Sequence, residues 1–234
     1  LDRDQVRARA PGAVFRDELS AGVSVYDAVP TRYRLAINEA VLILSHWRDL
    51  LGRRESEIRD NRLDSELPEL TELQAMAERH VRLDWRKAHA TASEAAKEAR
   101  SSPLVIDASK RFTERFLTPL LLDAPIWRQA YLKPRGYPGD FDLMNLMYED
   151  VSRGMSVFAR VMHQLGREER LAATVRDRKE FLVREIQATV DRHDRQRGDL
   201  RITNIGAGPA RELEDFLAKS RLESGLVITL IDQD

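Results

Sequence analysis

Between residues 30 and 60 the apolar positions Tyr33, Ile37, Ala40, Val41, Leu44, Trp47 and Leu51 recur at helical spacing, with Arg, Asp and Asn between them. One long amphipathic helix is predicted there. A second stretch follows Pro68 through Leu70, Leu73, Met76, Ala77 and Val81, and an Ala/Glu/Lys-rich segment from Lys87 to Arg100 has high helix propensity until Ser101-Ser102-Pro103 ends it. From Pro103 to Leu122 the residues Phe112, Phe116, Leu117 and Leu120 share a face; Pro119 must kink or break the last turn, and Pro125 closes the unit. Residues 155–165 and 171–190 both read as helices, the second with Phe181, Leu182, Ile186 and Val190 on one side, and Gly166 reads as the stop between them.

Beyond Gly198 the period changes. Leu200 to Ile205 and Leu226 to Ile231 are β-rich runs on either side of a helical segment, so this part reads β-loop-α-β. The expected fold is a mostly α N-terminal region followed by the start of a Rossmann-like α/β core. Three parts are expected: a helical region at 1–125, a helical cap at 126–198, and the first β-α-β at 199–234. A doubly wound sheet needs several such units. Two parallel strands alone leave an uncovered edge. The expectation is therefore a core truncated after its second strand, or a homo-oligomer in which strands come from another copy.

The stretch with the clearest chemistry is Arg201-Ile-Thr-Asn-Ile-Gly206-Ala-Gly208-Pro-Ala-Arg211-Glu212, followed by Leu226 to Asp232. A strand entering Gly-x-Gly and then a helix lets the backbone turn tightly and approach a ligand, because neither glycine carries a Cβ. The N–H groups at the helix start favour anionic or polar ligand atoms. Asp232 closes the second strand, where a carboxylate can accept both hydroxyls of a ribose. Flavin and nicotinamide sites of this kind require a third glycine three residues after the second, beside the pyrophosphate. Arg211 stands at that position. A site for S-adenosylmethionine has no pyrophosphate and can dispense with that glycine.

A second segment concentrates polar groups: Lys133-Pro-Arg-Gly-Tyr-Pro-Gly-Asp140, continuing Phe-Asp-Leu-Met-Asn-Leu-Met-Tyr148. Tyr137-Pro138-Gly139-Asp140 is a good type II turn, with Asp140 placed to N-cap a helix beginning at Phe141. That reading leaves Lys133, Arg135 and Tyr137 unexplained, and a cation and a phenol there could hold a carboxylate.

Asn204-Ile-Gly-Ala-Gly-Pro-Ala-Arg-Glu212 with Ile231-Asp-Gln-Asp234 resembles motif I and the following acidic motif of class I S-adenosylmethionine-dependent methyltransferases. The segment Lys133 to Asp140 resembles the Lys-Pro-Arg-Gly-Tyr-Ala-Gly-Asp signature of a bacterial group of these enzymes with a helical N-terminal region, Pro138 standing where alanine is usual. The resemblance spans roughly residues 103–234. It implies that Asn204, Gly206, Ala207, Gly208, Pro209, Asp232 and Gln233 hold S-adenosylmethionine. It also implies that Arg135, Gly136, Tyr137, Gly139 and Asp140 line the donor or acceptor site. The acceptor stays open, a small molecule or a fatty-acid carboxyl. No catalytic residue is named, because in-line methyl transfer asks mainly for alignment and exclusion of water. A non-catalytic S-adenosylmethionine-binding or regulatory module is the first alternative, and a flavin or nicotinamide oxidoreductase the second.

Charge and composition narrow this further. Lys and Arg total 38 against 39 Asp and Glu, so a net charge of −1 gives no field to gather nucleic acid. The absence of cysteine removes thiolate nucleophiles and Cys-based zinc sites and is compatible with a cytoplasmic protein. His46, His80, His89, His163 and His193 show no compact ligand spacing, so no metal site is expected. No apolar run approaches the roughly 20 residues that span a bilayer.

Overall fold

The computed structural model describes residues 26–60, 68–194, 198–220 and 225–233. Asp234 of the acidic motif and the first 25 residues of the helical region lie outside the described residues. The described chain is mostly helical, with one two-stranded parallel sheet, and it divides into two units at Leu121/Leu122. The helical cap and the β-α-β segment fall in the same unit.

In the first unit, α1 (Thr31–Arg59) and α2 (Pro68–Ala95) pack along each other. Their buried faces are Ile37, Ala40, Leu44 and Leu51 on one side and Ala77, Val81, Trp85 and Ala88 on the other. On α1 these residues belong to the apolar stripe of the sequence; on α2 Ala77 and Val81 do, whereas Met76 of that stripe is 54% exposed and Trp85 and Ala88 carry the buried side further along the helix. α2 runs unbroken from Pro68 through the Ala-rich segment, and a short 3₁₀ turn at Glu98–Arg100 follows it. Trp47 ties the pair together, its indole N–H donating to Asp84 at 2.8 Å. Ser102 caps α3 (Pro103–Phe116) by accepting from the Val105 N–H, and α4 (Thr118–Leu121) follows after a break at Leu117, two residues before Pro119.

The second unit is built around α7. Pro125 opens rather than closes an element: it occupies the first turn of α5 (Pro125–Leu132), where its missing N–H costs nothing. α6 (Phe141–Tyr148) is N-capped by Asp140. α7 (Val157–Glu168) buries Val157, Phe158, Ala159, Val161, Met162 and Leu165, and so forms the unit's central helix. α8 (Arg170–Arg192) follows after a single residue, Glu169. Ile126, Leu143, Met147 and Ala172 pack α5, α6 and α8 into one apolar cluster with Trp127, Ala130, Leu146 and Val175. Phe181, expected on the buried side of α8, is 52% exposed.

Gly166 is not a helix stop. α7 continues through it to Glu168, and a Cβ at this position would lie 2.5 Å from Ile126 Cγ2 and 2.9 Å from Trp127 Nε1. The missing side chain lets α5 approach the helix closely.

β1 (Leu200–Ile205) and β2 (Leu226–Ile231) pair in parallel, in register from Leu200 opposite Leu226 to Ile205 opposite Ile231. Between them α9 (Arg211–Lys219) buries Leu213 and Phe216 and packs on α8, where Lys179 also pairs with Asp215. Ile205, Leu230 and Ile231 stay exposed.

Candidate functional site

The loop between β1 and α9 is shaped by glycine. Gly206 and Gly208 have φ of 69° and 52°, in the left-handed region that L side chains avoid. Ala210, immediately before α9, adopts the same region at φ 49° without being glycine, a local cost of roughly 1–2 kcal/mol. The loop is closed by its own hydrogen bonds. Gly206 and Ala207 both donate their N–H to the Ile231 carbonyl, at 2.8 and 3.2 Å, and Gly208 donates to Asp232 Oδ2 at 2.6 Å. The end of β2 and the glycine turn thus form one piece.

Around this piece lies a cleft of about 470 Å³, lined by Gly206, Gly208, Asp232 and Gln233, and across from them by Tyr137, Gly139, Phe141 and Met144. A Cβ at Gly206 would meet no atom within 4 Å, so the bare backbone faces open space. At Gly208 the nearest atom to such a Cβ is Met144 Sδ at 3.4 Å. The cleft falls within the range of small-molecule sites, roughly 300–1,000 Å³, and has their usual apolar wall with a few polar groups. Ile205 and Ile231 complete that wall. A second cleft of about 410 Å³ shares Phe141, Gly208 and Asp232 and adds Asn145, Pro209, Arg211 and Glu214.

The structure distributes the sequence-predicted residues among distinct tasks. Gly206, Gly208, Asp232, Gln233, Tyr137 and Gly139 line the main cleft, and Pro209 lines its neighbour. Asn204 does not line either: its amide donates to Glu212 Oε1 at 2.7 Å and fastens β1 to the first turn of α9. Ala207 is 7% exposed and also lies outside the lining. Arg135 pairs with Asp142 at 2.9 Å, and its guanidinium sits 3.9 Å from the centre of the Phe141 ring. Gly136 supplies a positive φ of 84° to the turn that begins at Lys133.

Asp140 is buried, at 1% exposure. One carboxylate oxygen accepts from the Leu143 N–H at 2.8 Å, and the Gln129 amide donates to both oxygens, at 3.1 and 3.0 Å. It therefore anchors the turn instead of facing the cleft.

Phe141 and Met144 are lining residues that the sequence reading did not single out. Their signal was present, since they follow the capped turn at the three-residue spacing of one helix face. Gln129 had no comparable signal. Its role depends on α5, which the sequence reading did not place. Among the described residues no group of His, Asp and Glu is gathered to hold a metal, and no helix is long and apolar enough to cross a membrane. Comparison with protein-family models, curated proteins and solved structures gives no match.

Proposed function

We propose that the second unit binds S-adenosylmethionine in the cleft over Gly206 and Gly208 and that the protein is an S-adenosylmethionine-dependent methyltransferase built on the start of a Rossmann-like core. The observation that carries this reading is convergence: the glycine loop, the acid closing β2 and the Tyr137–Gly139 turn, three separate features of the sequence, line one cleft. The residues present also fit the donor. The open space above Gly206 admits close approach to the backbone, Asp232 offers a carboxylate to ribose hydroxyls, and Phe141, Met144, Ile205 and Ile231 offer apolar surface to a base and to methylene groups.

Such a ligand supplies an electrophilic methyl group on a sulfonium. This chain's residues contribute binding, orientation and shielding from water, the contributions on which an in-line displacement depends. Arg211 argues against a dinucleotide. It fills the third-glycine position and is engaged elsewhere, with Asn145 at 3.0 Å and Glu214 at 2.7 Å. The acceptor, small molecule or fatty-acid carboxyl, remains part of the proposal, to be identified by assay of candidate acceptors.

The reading is tested by calorimetry with S-adenosylmethionine. Asp232→Ala is expected to weaken binding about tenfold, or about 1.5 kcal/mol, the low end for hydrogen bonds to a charged group. Unchanged affinity would remove Asp232 from the ribose site. Binding of NAD(P) or a flavin in its place would overturn the methyl-donor assignment.

A further inference from the structure

The turn that lines the cleft is tied from behind to α5 by the Gln129 side chain. Tyr137 and Gly139 reach the cleft, and the next residue, Asp140, is buried with both carboxylate oxygens on the Gln129 amide. Gln129 belongs to α5 and is itself absent from the cleft lining. α5 is seated on the unit's core through Ile126 and Trp127, the indole N–H of Trp127 donating to the Met162 carbonyl of α7 at 3.2 Å. A buried carboxylate needs its oxygens satisfied, so the amide fixes where Asp140 can sit. Asp140 in turn fixes the start of α6, which carries Phe141 and Met144 on the same cleft.

We propose that Gln129 is a positioning residue for this cleft: acting through Asp140, it sets the location of Tyr137, Gly139, Phe141 and Met144 relative to the glycine loop. The inference takes only its chemical probe, S-adenosylhomocysteine, from the methyl-donor reading. Its geometric content is independent of that reading.

The experiment exchanges the partners. Gln129→Glu sets two carboxylates against each other, whereas the double variant Gln129→Glu with Asp140→Asn restores a carboxylate–amide pair in reverse and keeps an oxygen for the Leu143 N–H. Asp140→Asn alone is the control and should stay within about twofold of the parent protein, because the Gln129 amide can turn over to present its oxygen. Three quantities are read on the full chain: affinity for S-adenosylhomocysteine, the fluorine resonance of 3-fluorotyrosine at position 137 (assigned by its loss in Tyr137→Phe), and melting temperature. Gln129→Glu is expected to shift the Tyr137 resonance and weaken the probe about tenfold, and the double variant to return both. If Gln129→Glu does not fold, Gln129→Met, which removes the donor without adding charge, is expected to shift the same resonance. A lowered melting temperature with an unmoved Tyr137 resonance and unchanged affinity would overturn the proposal and leave Gln129 a packing residue. Failure of the unsubstituted protein to bind the probe would instead count against the methyl-donor reading, and the resonance alone would then decide the role of Gln129.

Discussion

Gly166→Ala is expected to destabilise the second unit by about 2–3 kcal/mol, within the usual cost of overpacking a tight core. Helix propensity argues the opposite way, because alanine inside a helix is favoured over glycine by roughly 1 kcal/mol. The contact distances decide between them. A new methyl group would lie 2.5 Å from Ile126 Cγ2 and 2.9 Å from Trp127 Nε1, separations that force α5 away from α7. Displacement of Trp127 also strains its hydrogen bond to the Met162 carbonyl. Chemical denaturation of the two proteins measures the difference. A more stable alanine variant would show that propensity outweighs the clash.

The second large effect is expected on acidification. His163 is fully buried, and its Nδ1 accepts the Ile126 N–H at 3.3 Å. Burial, reinforced by the Arg167 and Arg153 charges and opposed by Glu149 and the Val151 carbonyl, lowers its pKa from 6.5 to about 4. Between those values the unfolded chain binds a proton that the folded chain refuses. Stability from this residue is therefore complete above about pH 6.5 and is lost as pH falls toward 4, by roughly 3 kcal/mol in all. Denaturation at pH 7 and at pH 4.5 measures the loss. His163→Gln keeps an acceptor for the Ile126 N–H without titrating and should flatten this part of the profile. An equally steep loss in that variant would assign the acid sensitivity to carboxylates.

Much of the chain was legible because local and tertiary demands agree. The stripe from Tyr33 to Leu51 is the buried side of α1, and the Gly-x-Gly turn joins a real strand to a real helix. Asp140 caps α6 at the residue where its spacing to Phe141 required it. Readings went astray where one residue type serves opposite ends. Proline ends a helix or opens one, and only the core contacts of Ile126 and Trp127 show that Pro125 opens α5. Glycine stops a helix or thins it, and only Ile126 and Trp127 across the interface explain Gly166. In the site, the glycines could be found because a left-handed backbone restricts residue type at those positions, and Asp232 because it directly follows the second β-rich run. Gln129 could not, because an amide eleven residues before its carboxylate partner leaves no periodic trace.

The three N–H groups that close the glycine loop onto Ile231 and Asp232 fix a timing as well as a shape. The loop's ordering is charged to folding, before any ligand arrives. A ligand that displaces the Gly208 N–H from Asp232 exchanges one partner for another, and the calorimetric enthalpy at that carboxylate is then a difference between two similar bonds, whereas one that uses only the other oxygen adds a bond. In amide hydrogen exchange, Gly206 and Ala207 should be slow with or without ligand. Gly208 alone should report the trade, its protection passing from the protein's own carboxylate to whatever replaces it.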